Sequence, residues 1–263
     1  MGNQANSSAL ALTLDVDWAP DFMIDFVAEI LIEHRVRATW YITHESPSLA
    51  RLRAHQELFE LGIHPNFFPG STHGESPTAV LGHCMEIVPE AVSVRTHGLL
   101  QSTALLGQIM KHTPVRTDAS LFLPHAPELT PVEYWWEQRT LLRVPYFWED
   151  DFEMERVAPC WKLAPLLESG SGLKVLDFHP VHVYLNSRTM GPYHALKERA
   201  PRLPDITAKG VAEFIRDEAG TRTLFIELAK HLNETGESLL MRDIHRRWQQ
   251  RHESHQGLEG SPE

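Results

Sequence analysis

The stretch ALALTLD at residues 9–15 decides the fold. Leu10, Leu12 and Leu14 recur with the two-residue period of a buried strand. Over 20–34 the period changes: Phe22, Phe26, Val27, Ile30 and Leu31 share one helical face, and Pro20 suits a first helical turn. VRATWYIT (36–43), rich in β-branched and aromatic residues, predicts a second strand. Ser46-Pro47 opens a second helix that is expected to run to Leu61 and stop at Gly62. IHPNF (63–67), a loop over 68–78, a strand at 91–96, a short helix at 101–112 and a strand at 114–122 follow. Strand alternating with helix predicts parallel βαβ units.

Later strands are expected at LLRVPYFW (141–148) and LKVLDFHPVHVYL (173–185), and helices at 207–218, 221–235 and 238–252. The fold class is therefore α/β: a distorted (β/α) barrel, its strand–helix spacing loosening after residue 120, with a helical C-terminal extension. One domain is expected over 9–252, between disordered ends at 1–8 and 253–263.

Composition narrows the function classes. Of 263 residues, 42% are hydrophobic, enough for a globular core. Asp and Glu number 35 against 24 Lys and Arg, a net charge of −11 that repels a phosphate backbone, so no nucleic-acid partner is expected. The most apolar stretch, Phe22–Ile32, is broken by Asp25 and Glu29 and cannot span a bilayer. Met1–Ala9 has neither a basic nor an apolar leader region, and the two cysteines, Cys84 and Cys160, fit a reducing compartment; a cytoplasmic protein is expected. The oligomeric state is not legible. The 16 histidines are a surplus that chemistry must partly explain.

In such a barrel, chemistry gathers where strands end. The first strand ends in Asp15 and Asp17, followed by Trp18. His64 and Asn66 follow the second helix, with His73 in the loop behind. Arg95 and His97, then Asp118, then Asp177 and His179 end the later strands. Asp15 and Asp17, two apart, share one face of an extended strand, and two carboxylates so close call for a cation or a proton. His64 and His73 could each give a ring nitrogen to a divalent ion shared with Asp17, the donor set of a hydrolytic metal site. Trp148, in Trp148-Glu149-Asp150-Asp151, could line the cleft, although buried aromatics are the commoner case; His182 is expected to be packed.

Five motifs in order carry a resemblance. LTLDVDWAPD (12–21), ELGIHPNF (60–67), VRTHG (94–98), RTDASLF (116–122) and VLDFHP (175–180) make the chain similar to the polysaccharide deacetylase (NodB-homology) superfamily, carbohydrate esterase family four, and more closely to its WbmS-like branch. The resemblance implies a distorted NodB-type barrel. It implies Asp15 as the general base for the attacking water, Asp17 and His64 as metal ligands, and His179 as the acid that protonates the leaving amine. Arg95 and Asp118 would orient and tune the base. Phe68 stands where the family's second motif has its second histidine. His73 is the candidate replacement, with Asn66 or a solvent molecule as alternatives. His97 stands where the third motif usually has proline and would add a substrate or supporting contact.

The expected activity is removal of an N-acetyl or similar small acyl group from an amino sugar, a saccharide precursor in cell-surface polysaccharide biosynthesis. It would use one divalent metal ion: zinc by default, with cobalt, nickel or iron also compatible. Two rival readings are a sugar-lipid deformylase of the same fold and a catalytically silent sugar- or metal-binding protein.

Overall fold

A computed structural model describes residues 9–169, 172–200, 202–236 and 238–256. The strands are β1 (Leu10–Asp15), β2 (Ala38–Ile42), β3 (Phe59–Ile63), β4 (Ser93–Val94), β5 (Thr117–Asp118), β6 (Val132–Trp136), β7 (Arg139–Arg143), β8 (Trp148–Glu149) and β9 (Lys174–Phe178). The helices are α1 (Asp21–Glu33), α2 (Ser48–Ala54), α3 (Pro77–Ile87), α4 (Thr103–His112), α5 (Asp150–Glu155) and α6 (Leu163–Glu168). After them come α7 (Pro180–Leu185), α8 (Gly191–Arg199), α9 (Ala208–Val211), α10 (Thr221–Thr235) and α11 (Met241–Gln256). The strands form one sheet in the order β6-β7-β5-β4-β3-β2-β1-β9-β8. All neighbours are parallel except the β6–β7 hairpin.

The sheet curls into a distorted barrel. Residues 139–149 form an extended run whose Leu142 and Val144 amides bond to Arg116 and Asp118, beside β4. Further along the same run the Phe147 amide bonds to Val175, and Trp148 pairs with Leu176 on β9. One segment thus joins both sides of the sheet.

β1 lies at its centre, paired with β2 and β9 and buried along its whole length. Leu10, Leu12 and Leu14 pack outward into the large core shared with α1 and α10. Ala11 turns inward to a second, smaller core with Tyr41, Val144, Tyr146 and Val175. The two-residue period therefore sends Thr13 and Asp15 into the barrel interior. The floor is closed from the C-terminal side: the Leu239, Met241 and Arg242 amides bond to the Leu10 carbonyl, Thr39 Oγ1 and Glu60 Oε2. The helical extension thus caps the barrel.

Several expected boundaries shift. The helix expected to reach Leu61 ends at Ala54, and residues 59–63 form β3. Gly62 is no helix stop: a Cβ there would lie 2.8 Å from the Tyr41 ring and from Ser93 Oγ, so β3 fits its place because the residue is glycine. The strand expected over 173–185 breaks after Phe178, where Pro180 opens α7 and the left-handed Asn186 ends it. Helices α3, α5, α6 and α8 and strand β6 have no counterpart among the elements expected from the sequence. The helix expected over 207–218 shrinks to α9 and a 3-10 turn at Ala212–Phe214. α11 continues to Gln256, into the tail expected to be disordered; residues 1–8 and 257–263 lie outside the described residues. Among the described residues, no helix is long and apolar enough to cross a membrane.

Candidate metal and acid–base site

Asp15, Thr13, Arg95 and Asp177 converge inside the barrel at the C-terminal ends of β1, β4 and β9. Arg95 is fully buried. Its Nη1 donates to Thr13 Oγ1 (3.0 Å), to Asp15 Oδ1 (2.9 Å) and to Asp177 Oδ1, and its Nε donates to the Ala119 carbonyl (3.0 Å). The Tyr41 and Tyr146 rings lie 4.7 and 4.3 Å from the guanidinium carbon, a further attraction in a dry site. Burial drives the Asp177 carboxyl well above the usual range, against the opposing pull of Arg95. The expected partner of Arg95, Asp118, is elsewhere: its carboxylate accepts from Arg143 Nε (2.8 Å), Ser120 Oγ (2.6 Å) and the Ser120 amide (3.1 Å). Asp118 sits on the far side of β4 from β1, so Asp177 takes the expected place beside Arg95.

Past the end of β1, Asp17 (φ 45°) and Trp18 (φ 56°) are consecutive non-glycine residues in the left-handed region, a rare backbone state that clusters at functional sites. This turn sets Asp17 Oδ1 3.1 Å from His64 Nε2 and 3.0 Å from His97 Nδ1, with the two ring nitrogens 3.4 Å apart. Tetrahedral donors about 2.1 Å from an ion lie about 3.4 Å from one another, so one carboxylate and two imidazoles are spaced for a divalent metal. His64 Nδ1 donates to the Arg95 carbonyl (2.7 Å), which leaves the Nε2 lone pair facing the group. Burial raises the Asp17 carboxyl, but hydrogen bonds and charge from His64 and His97 outweigh it and hold the group well below its ordinary range.

His73, the expected third ligand, belongs to none of the ligand groups formed among the described residues. Its Nδ1 accepts from the Asn66 amide (3.1 Å) and lies 3.5 Å from Cys84 Sγ. Burial pushes the ring down to about 4. The loop after Phe68 packs the His73 ring against Trp18 and His83, with ring centroids 5.3 and 5.2 Å apart, and it is His97 that joins Asp17 and His64 in a group able to hold a metal. A local signal existed: His97 lies two residues beyond the inward-facing Arg95.

His179 stands across Asp17, its Nε2 3.7 Å from Asp17 Oδ2. Asp150 holds it twice, Oδ1 accepting from Nδ1 (2.7 Å) and Oδ2 from the backbone amide (3.0 Å). Burial lowers the ring's proton affinity, but the charges of Asp151 and Asp150 outweigh it and hold the ring well above its ordinary value. Asp150 and Asp151, read from sequence only as acids near the cleft, are thus the partners of His179. His182, expected to be packed, is buried on α7 but has its Nε2 3.2 Å from Asp151 Oδ1. Beside them, burial raises the Glu149 carboxyl to about 8.

Trp148 departs from expectation: it is 1% exposed, packs on Phe178, and donates Nε1 to Glu153, so no substrate reaches it. Trp18 and Asn66 line a cavity of about 660 Å³ that opens on Asp17 and His97. Tyr193 on α8, unforeseen in the sequence, lines the same cavity.

A distorted barrel with a carboxylate–imidazole cluster at its strand ends defines a NodB-type polysaccharide deacetylase fold. The chain belongs to the WbmS-like polysaccharide deacetylase family, whose model matches residues 12–197. It is similar to a crystal structure from Bordetella bronchiseptica described as a polysaccharide deacetylase involved in O-antigen biosynthesis. The two are 31% identical with a TM-score of 0.74, over 88% of this chain and 93% of that one. The peptidoglycan deacetylase PdaC from Bacillus subtilis matches at 13% identity and a TM-score of 0.48, over 95% and 98% of the two chains. A pseudoenzyme of carbohydrate esterase family four from Bacillus anthracis matches at 12% identity and a TM-score of 0.40, over 75% and 61%. No curated protein matches the chain.

Proposed function

We propose that the protein is a metal-dependent hydrolase that removes an acetyl or similar small acyl group from the nitrogen of an amino sugar. The O-antigen role of the Bordetella relative extends the proposal to cell-surface polysaccharide assembly, on the cytoplasmic side. One observation carries the reading. Asp17 Oδ1, His64 Nε2 and His97 Nδ1 are spaced as three ligands, with a buried carboxylate, Asp15, on one side and His179 on the other.

A divalent ion, zinc by default for this donor set, would polarise the amide carbonyl and stabilise the charge that develops on its oxygen. Asp15 takes a proton from the attacking water. Arg95 keeps that carboxylate in place through Nη1, with Thr13 Oγ1 beside it. His179, kept protonated by Asp150 and Asp151, gives its Nε2 proton to the leaving nitrogen as the carbon–nitrogen bond breaks. The products are the free amine and the carboxylic acid.

The test is metal content and acid release for protein purified without added metal. His97→Ala loses the ion and the activity; His73→Ala keeps both. Full occupancy in His97→Ala would overturn the ligand set. Formate in place of acetate would change the acyl group but not the chemistry. Full metal occupancy with no acid released from any amido sugar would point to a silent binding protein.

A further inference from the structure

The cavity beside the ligand group is electrically two-ended. At the metal end, Asp15, Asp17, Asp150 and Asp151 crowd together with the cations Arg95 and His179 among them, while burial raises the neighbouring Glu149 and Asp177 carboxyls. The carboxylates left charged there are already met by these two cations, so the metal end offers no unpaired partner to an anion on the reacting ring. The other end is formed by α8 and the turn after it. Tyr193 interacts electrostatically with Asp17, His179 and Asp151, so it borders the metal end. Lys197 follows four residues on, on the same helical face and about 6 Å farther along the axis. It lines the cavity, is half-buried, and has no hydrogen-bond or ion-pair partner among the described residues. Arg202 lines the cavity next; its partner is Asp205, at 3.4 Å between two exposed side chains, a weak pair that can be exchanged. Glu45, on the loop after β2, sets one negative charge against these two cations.

We propose that the substrate is an amido sugar conjugated to a phosphate or diphosphate. The acylated nitrogen lies at Asp17, His64 and His97, and the phosphate is held about one helical turn beyond Tyr193 by Lys197 and Arg202. This deepens the deacylase reading and rests on it for the orientation, but the anion subsite can be measured by binding alone. Lys197 and Arg202 are specificity determinants and take no part in the bond-breaking step.

The experiment compares three probes: uridine diphosphate N-acetylglucosamine, N-acetylglucosamine linked through diphosphate to a polyprenol in detergent micelles, and the uncharged methyl glycoside of N-acetylglucosamine. Acetate release and calorimetric affinity are measured for the wild type, Lys197→Glu and Arg202→Glu. Each reversal replaces a charge-assisted hydrogen bond to phosphate with repulsion, and should cut the preference for a phosphate-bearing probe over the glycoside by about ten- to a hundredfold. The effect should appear in KM and shrink as salt rises. Preference for the nucleotide probe alone identifies a soluble donor; preference for the micellar probe alone identifies a lipid carrier. A wild type with no preference for phosphate, or variants that weaken all three probes equally, overturns the proposal. If no probe releases acetate, the calorimetric preference alone decides the anion subsite, and the deacylase reading is judged separately by acid release from other amido sugars.

Discussion

Replacing His73 with Gln tests whether this histidine is a buried neutral ring or a ligand. In the native protein His73 is 3% exposed, and burial drops its proton affinity from the ordinary 6.5 to about 4. The folded state therefore keeps the ring neutral, while the unfolded chain takes up a proton as pH falls below 6.5. The stability this supplies is complete above 6.5 and is lost as pH falls toward 4. At about 1.4 kcal/mol per pH unit, the loss is about 2 kcal/mol by pH 5 and about 3 kcal/mol by pH 4. Gln keeps an acceptor for the Asn66 amide but has no proton to gain. Urea unfolding of wild type and His73→Gln, measured from pH 8 to pH 5, isolates the effect as the difference between two curves that share every other titrating group. The gap should close, and then reverse, by about 2 kcal/mol over that range. Parallel curves would refute the argument, because they would mean that His73 stays accessible to protons in the folded state.

Four further outcomes follow from the same geometry. Arg95→Met leaves Asp15 and Asp177 buried without their shared cation and should lower unfolding stability by about 3–5 kcal/mol; the added change Asp177→Leu should restore part of it, both read by urea denaturation. His179→Ala should lose about 10²–10⁴ in kcat. Asp150→Asn should lose less and should move the alkaline limb of the kcat profile to lower pH, since one of the carboxylates holding the ring protonated is gone. Gly62→Ala forces a methyl against Tyr41 and Ser93 and should cost about 1–3 kcal/mol in thermal or chemical unfolding.

How much was legible depended on whether the deciding interactions were local. β1 could be read because its period-two leucines and the acids that end it are a property of the chain itself. β3 could not: no glycine or proline interrupts residues 48–61, so a helix begun at Ser46-Pro47 has no local stop before Gly62, and what makes FELGI a strand is the fit of Gly62 between Tyr41 and Ser93, residues 21 and 31 positions away. The same distinction governs the site. Asp15, Asp17, His64, Arg95 and His179 were visible as strand-end residues. Choosing between His73 and His97 needed the direction in which each loop turns, and Arg95 chooses Asp177 over Asp118 because β9, not β5, borders β1. Trp148 shows the opposite error: an aromatic next to a run of acids suggested a residue lining the cleft, but its ring is turned toward Phe178 and Trp161.

The way the floor of the barrel is made has a consequence for how the protein comes into being. β1 is synthesised early, yet its edge partner β9 lies more than 160 residues downstream, and the Leu239 amide that bonds Leu10 arrives later still. Glu60, buried in β3, waits for the Arg242 amide. Until the segment that opens α11 leaves the ribosome, Thr39 Oγ1 and Glu60 Oε2 lack the Met241 and Arg242 amides, although Glu60 Oε1 can already accept from Ser93. A nascent chain halted before residue 238 would hold every strand of the sheet, yet its inner core of Ala11, Tyr41 and Val175 would lie open where Leu239, Met241 and Ile244 otherwise cover it, an apolar surface that other chains can meet. The segment that opens α11 is thus the cover of the inner core, and a chain cut short of it should associate more readily than the full one.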